Sequence, residues 1–172
     1  MRRTASIMMC GLVLALSGAA SAQNSDHVSA TLTGPGEVPA VSTAATGSFS
    51  AEINPGGWVD WTLTYSNLQA DVAQAHIHFS QPFTTGSIVV WLCKTTQTPP
   101  VDVQDCPAPR SGTVSGTFDA TDVVAAATQG ISAGDFAEVV AAMKAGLAYA
   151  NVHTSQSPGG EIRGQIKVGA GH

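Results

Sequence analysis

The chain has 172 residues and little charge: 11% are Asp, Glu, Lys or Arg, and the formal net charge is −5. Lys and Arg cluster nowhere, which excludes the basic stripe of a nucleic-acid partner and the polybasic segment that docks on an anionic membrane. Ser, Thr, Gln and Asn must therefore make most of the polar surface.

The first segment reads as an export signal. Arg2 and Arg3 form a basic start, residues 7–16 an apolar run interrupted by Gly11, and Ala20-Ser21-Ala22 a small-residue cleavage site. The run is shorter than the ~20 apolar residues of a membrane span. Thr4-Ala5-Ser6 does not continue a twin-arginine motif, and Cys10 lies inside the apolar run, away from any lipidation position. Residues 1–22 are thus expected to be a signal peptide cleaved after Ala22. Residues 23–172 form one mature domain, secreted or periplasmic, with no membrane span and enough length for one core.

Alternation with period two predicts strands along most of that domain. Residues 27–33 set Val28, Ala30 and Leu32 against Ser29, Thr31 and Thr33, and Gly34-Pro35-Gly36 ends the run. Residues 47–53 and 58–65 flank Asn54-Pro55-Gly56-Gly57 and read as a hairpin. Strands follow at 72–79 and at 88–93, the latter apolar on both faces and so expected to be central or doubly covered. Cys93 and Cys106 are the two cysteines left after signal removal, and an oxidising compartment predicts a disulfide between them. A strand at 112–118 precedes two capping-box-like helix starts, at Asp119 and Ser132, which predict helices over 120–127 and 133–144. The second buries Phe136, Val139, Val140 and Met143 and stops at Gly146. Strands at 147–154 and 161–168 close the chain around Ser157-Pro158-Gly159-Gly160. Eight strands with a short two-helix insertion before the last two predict a mainly β fold, a Greek-key β-sandwich or barrel.

One constellation carries chemistry. In Ala75-His76-Ile77-His78-Phe79 the apolar residues share a face, so both imidazoles point the other way. The same alternation turns Asn151 and His153, and Glu161, Arg163 and Gln165, away from the core. If the three strands are neighbours, His76, His78 and His153 converge on one ion, and neutral imidazole suits zinc or copper. The competing reading is a polar patch whose histidines hydrogen-bond to neighbours such as Glu161 and Asn151. Glu37 reads as a turn carboxylate facing Arg163 or a backbone donor, and Trp61 and Trp91 read as core. Gly-x-Ser-x-Gly is absent, and no Gly-rich phosphate loop precedes a helix.

Gly34 with Glu37-Val38-Pro39, Ala44-Ala45-Thr46-Gly47, Leu63-Thr64-Tyr65, Ala75-His76-Ile77-His78, and Tyr149 with Asn151-Val152-His153-Thr154 stand in order ahead of Pro158-Gly159-Gly160-Glu161-Ile162-Arg163-Gly164-Gln165. In this the chain resembles the CHRD (chordin-type) domain family over most of its mature part. The resemblance implies an immunoglobulin-like β-sandwich, an extracytoplasmic setting shared with chordin and many exported microbial proteins, and no assigned reaction. Phe79-Ser80 departs from the Gly and small residues usual there, and the Cys93–Cys106 loop and the helical segment are enlargements. The His-x-His tripeptide is also similar to that of copper/zinc superoxide dismutase, but the further ligands of a two-metal site are missing.

Two functions therefore stand at this level. The leading one is a non-catalytic binding or structural module for a protein or envelope component, with His76, His78, Asn151, His153, Glu161 and Arg163 as its binding surface. The other is a copper- or zinc-binding protein using His76, His78 and His153.

Overall fold

The period-two pattern decides which segments become strands. The computed structural model describes residues 26–169, so the expected signal peptide lies outside the described residues. In chain order the strands are β1 (Asp26–Thr33), β2 (Thr46–Asn54), β3 (Trp58–Ser66), β4 (Val72–Phe79), β5 (Ile88–Lys94) and β6 (Gly112–Phe118). Helix α1 (Phe136–Ala145) precedes β7 (Ala148–Thr154), β8 (Ile162–Gln165) and β9 (Lys167–Val168). The apolar members Val28, Leu32, Phe49, Leu63, Ile77, Val152 and Ile162 are all buried in one core. The β2–β3 hairpin closes from Asn54 to Trp58, with Gly57 at φ 93° supplying the left-handed residue that the turn requires. On the outside of this region Thr62 meets Ser115 and Thr64 meets Thr113, hydroxyl to hydroxyl, at 3.0 Å.

The two sheets expected of a sandwich are joined here. Hydrogen bonding runs through one antiparallel sheet in the order β5-β4-β7-β8-β1-β2-β3-β6, with β9 also on β1. The join comes from the last expected strand, which divides at Ile166. Residues of β8 pair with β7, Arg163 also pairs with Thr33, and Lys167 and Val168 pair with Ser29 and Val28 of β1. The end strands approach each other, so the sheet curls into a nearly closed barrel. Gln104, which lies between β5 and β6, donates to the Ser115 carbonyl of β6. Asp105 bridges to Lys94 of β5, and the Cys93–Cys106 disulfide forms as expected, with its Cα atoms 5.0 Å apart.

The helical insertion is smaller than predicted. Asp119 does make its capping box, but the turn it starts is a 3-10 turn over Ala120–Asp122. The chain then extends, because Val123 bridges to Val90 and the Val124 N–H donates to the Val89 carbonyl. That pairing covers the free edge of β5, a use of this segment that excludes a helix. It also explains how β5 is doubly covered while ending the sheet. α1 forms near its expected span, with Val139, Ala142 and Met143 buried and Gly146 in the left-handed conformation behind it. No helix among the described residues is long and apolar enough to cross a membrane.

The disulfide closes a loop of sequence separation 13. Replacing both Cys93 and Cys106 by Ala is expected to lower the urea-unfolding free energy by about 3 kcal/mol. Limited proteolysis should then begin between residues 94 and 106. An unchanged unfolding midpoint would show that the bridge contributes nothing.

Candidate metal centre

Strands β4, β7 and β8 are adjacent, and their registers place the polar side chains in rows. His76 faces Asn151, which faces Arg163; His78 faces Tyr149, which faces Gln165. Alternation thus sends these side chains away from the apolar core, as the sequence predicts. It does not send them to solvent: His76, His78 and His153 are 0%, 8% and 6% exposed, and Asn151, Glu161 and Arg163 are buried as well. The corrected picture is a polar chamber roofed by loops, in place of an exposed binding surface. The loop between β4 and β5, the turn between β7 and β8, and the segment carrying Glu37 make the roof.

The roof orients the imidazoles. His78 Nδ1 lies 2.8 Å from the Gly86 carbonyl, and His153 Nδ1 lies 2.9 Å from the Pro158 carbonyl. A carbonyl only accepts, so in each ring Nδ1 carries the proton and Nε2 presents its lone pair. His76 Nδ1 sits 3.2 Å from His153 Nε2. One ring nitrogen from each of the three lies within 4.8 Å of the others, and this is the group of His, Cys, Asp or Glu found among the described residues with metal-holding geometry. Around a tetrahedral ion with bonds of ~2.0–2.1 Å, two nitrogens stand about 3.3 Å apart, close to the separation of His76 from His153. Backbone acceptors on the opposite ring nitrogens are the support that metal-ligating histidines ordinarily have.

Burial keeps the rings neutral. It pushes His76 down to about 2, with the neighbouring His153 and His78 adding to the effect. It pushes His78 to about 4, opposed by the Gly86 carbonyl, and it lowers His153 against the pull of the Pro158 carbonyl. Neutral imidazole is the form that binds a metal.

Aromatic and charged groups complete the walls. The Trp91 ring stands edge-on to His76 with centroids 4.2 Å apart, so Trp91 belongs to the chamber and not to the core expected for it. Register shifts between β4 and β5 reset the phase that its apolar neighbours suggested. Tyr149 stacks on His78 at 4.7 Å, and the Arg163 guanidinium lies 3.4 Å from the Tyr149 ring centroid. Arg163 Nη1 donates to the Thr84 carbonyl at 2.7 Å. Tyr149 and Trp91 escaped sequence reasoning as site residues; for Tyr149 the usable signal was its shared phase with Asn151 and His153.

Glu37 faces the chamber from the loop after β1. Burial raises its carboxyl to about 7, against the opposing effects of Arg163, the Val38 N–H and the Asn151 amide. Gly160, at φ 125°, makes room for it, since a Cβ there would collide with Glu37 Oε1. Glu161 plays a different part from the one expected. Its Oε1 accepts from Thr43 Oγ1 and the Gln69 N–H, both at 2.9 Å, and its Oε2 accepts from Thr154 Oγ1 at 2.8 Å. It is a structural clamp tying three segments together, with no contact to the histidines given by these bonds.

The family model described as CHRD domain matches residues 28–166. No curated protein and no solved structure shows a significant match.

Two outcomes follow from this chemistry. Glu161→Ala strands three donors in the interior and should cost roughly 2–5 kcal/mol in chemical denaturation; a loss under about 1 kcal/mol would remove the clamp. The metal-free protein should also lose stability in acid. His78 titrates at about 4 when folded and at its ordinary 6.5 when unfolded, so the unfolded chain binds the extra proton between those values. The stability present above pH 6.5 then falls by about 3 kcal/mol as pH drops to about 4. Glu37 acts with the opposite sign: its contribution is full below about 4.5 and is lost as pH rises through about 7. Glu37→Gln should accordingly raise the thermal midpoint more at pH 8 than at pH 5, and equal shifts at both would contradict this.

Proposed function

The chain belongs to the CHRD-domain family, and from that premise together with its buried imidazoles we propose that it is an exported module that holds one transition-metal ion, copper or zinc. The observation that carries this is the convergence of His76, His78 and His153 on one point, with lone pairs aimed by the Gly86 and Pro158 carbonyls. The pairing of ring nitrogens supports it further. In one tautomer His76 donates to His153 and leaves its own Nε2 without a partner; in the other, two lone pairs face each other. Either arrangement leaves the chamber short of a positive centre, and His78 Nε2 is unpartnered too. A lone pair left so costs several tenths to several kcal/mol, and an ion bonded to His76 Nδ1, His78 Nε2 and His153 Nε2 takes up all three lone pairs.

Export belongs to the same reading. The disulfide calls for an oxidising compartment, and the basic-apolar-small order of residues 1–22 supplies a route to one. The module is a binder, as the sequence suggested, but its ligand is held inside. A protein or envelope component would have to reach side chains that three loops cover.

Equilibrium dialysis of the mature protein against Cu2+ and Zn2+ should give one ion per chain. His76→Ala, His78→Ala and His153→Ala should each weaken retention by 100-fold or more. Saturable binding no tighter than micromolar in the unaltered protein would end the proposal.

A further inference from the structure

Three protein nitrogens leave a tetrahedral ion with one position open. Among the described residues no fourth His, Cys, Asp or Glu joins the group of three. Four buried side-chain atoms lack any hydrogen-bond partner: His76 Nε2, His78 Nε2, Asn151 Oδ1 and Glu37 Oε1. All four belong to the same chamber. An ion held by His76 Nδ1, His78 Nε2 and His153 Nε2 takes up the three imidazole lone pairs, puts the His76 ring proton on Nε2, and leaves the two oxygens.

Those oxygens belong to neighbouring side chains. Asn151 stands opposite His76 across the β4–β7 pair. Its amide is a close neighbour of both the Glu37 carboxyl and the His78 ring. Both residues are more than nine-tenths buried. Asn151 Oδ1 only accepts, Glu37 Oε1 accepts when the carboxyl is ionised or carries its proton on Oε2, and no protein group pairs with either. Resting on the metal reading above, we infer that a water molecule fills the fourth coordination position and donates its two protons to Asn151 Oδ1 and Glu37 Oε1. One water satisfies both acceptors and completes the ion. The number of protons it carries equals the number of oxygens left over, and its oxygen is the kind of donor zinc and copper accept beside imidazole.

The consequence concerns the kind of centre this is. A structural ion is closed by four protein groups, whereas three protein ligands and a water make a centre that exchanges its fourth ligand. Beside it stands Arg163, a buried cation that donates to the neutral acceptors Thr84 and Gln165. The class of exogenous ligand that fits is a small monovalent anion, which replaces the water and gains from the guanidinium. A cavity of about 450 Å³ lined by Asp71, Gln74, Thr95, Gln97, His153 and Ser155 lies against His153.

The experiment uses the mature protein loaded with one equivalent of Cu2+, the stoichiometry being measured by metal analysis after dialysis. Its electron paramagnetic resonance spectrum is recorded in ordinary water and in water enriched in oxygen-17. Hyperfine broadening by oxygen-17 is expected, and azide added in increments should abolish it. Asn151→Leu and Glu37→Leu, each losing one acceptor, should let azide displace the water at about tenfold lower concentration, the order of one hydrogen bond. Asn151→Asp, a stronger acceptor, should move the azide midpoint the other way, and it serves where a leucine variant does not fold. Copper bound one to one without oxygen-17 broadening would overturn the water while leaving the metal reading intact. Broadening with azide midpoints unmoved in all variants would overturn the assignment of Asn151 and Glu37 as its acceptors. A protein that retains no copper would fail the earlier reading instead.

Discussion

Two backbone carbonyls, those of Gly86 and Pro158, each hold the Nδ1 proton of one imidazole. This is the interaction on which the site depends. Without it the rings of His78 and His153 would be free to choose either tautomer and to turn. With it, both Nε2 lone pairs are committed to one point before any ligand arrives. The carbonyls belong to loops, while the imidazoles belong to strands β4 and β7. The candidate site therefore lies where a sheet face meets its roof, and its imidazoles and the carbonyls that orient them come from different parts of the chain.

The same meeting sets the electrostatics. A polar face that is covered loses its water, and the loss works in opposite directions on bases and acids. The histidines are kept neutral and the Glu37 carboxyl is kept protonated to an unusually high pH. Glu161 shows the other solution to the same problem. It is as deeply buried as His76, and three donors surround it. Two glutamates on the same side of the molecule thus differ in role because one is saturated with hydrogen bonds and the other is not.

Much of this was legible in the sequence. Alternation found the strands and told which way His76, His78, Asn151 and His153 point, since the two-residue period holds whether or not the polar side is wet. It could not tell that this side is covered, because the cover comes from loops whose paths depend on contacts distant in sequence: Glu37 reaches Asn151, and Thr84 reaches Arg163. The disulfide was legible from residue type and the expected oxidising compartment. The separate sheets of a sandwich were expected because a continuous alternating run at the chain's end reads as one strand, and nothing local marks Ile166 as the place where pairing changes partner. The helix expected over 120–127 failed for a related reason. Its capping signal is real, but the bare edge of β5 competes for the same residues and wins.

The divided last strand has a consequence for cooperativity. Residues 162–168 are where the half of the sheet bearing the histidines and the half bearing β2, β3 and β6 exchange hydrogen bonds. Melting that seven-residue seam breaks the sheet's continuity between the halves and leaves them joined through the shared core and the contact of Gln104 with Ser115. A chain loosened there would couple its two halves more weakly during unfolding, since the core would then carry most of the connection between them.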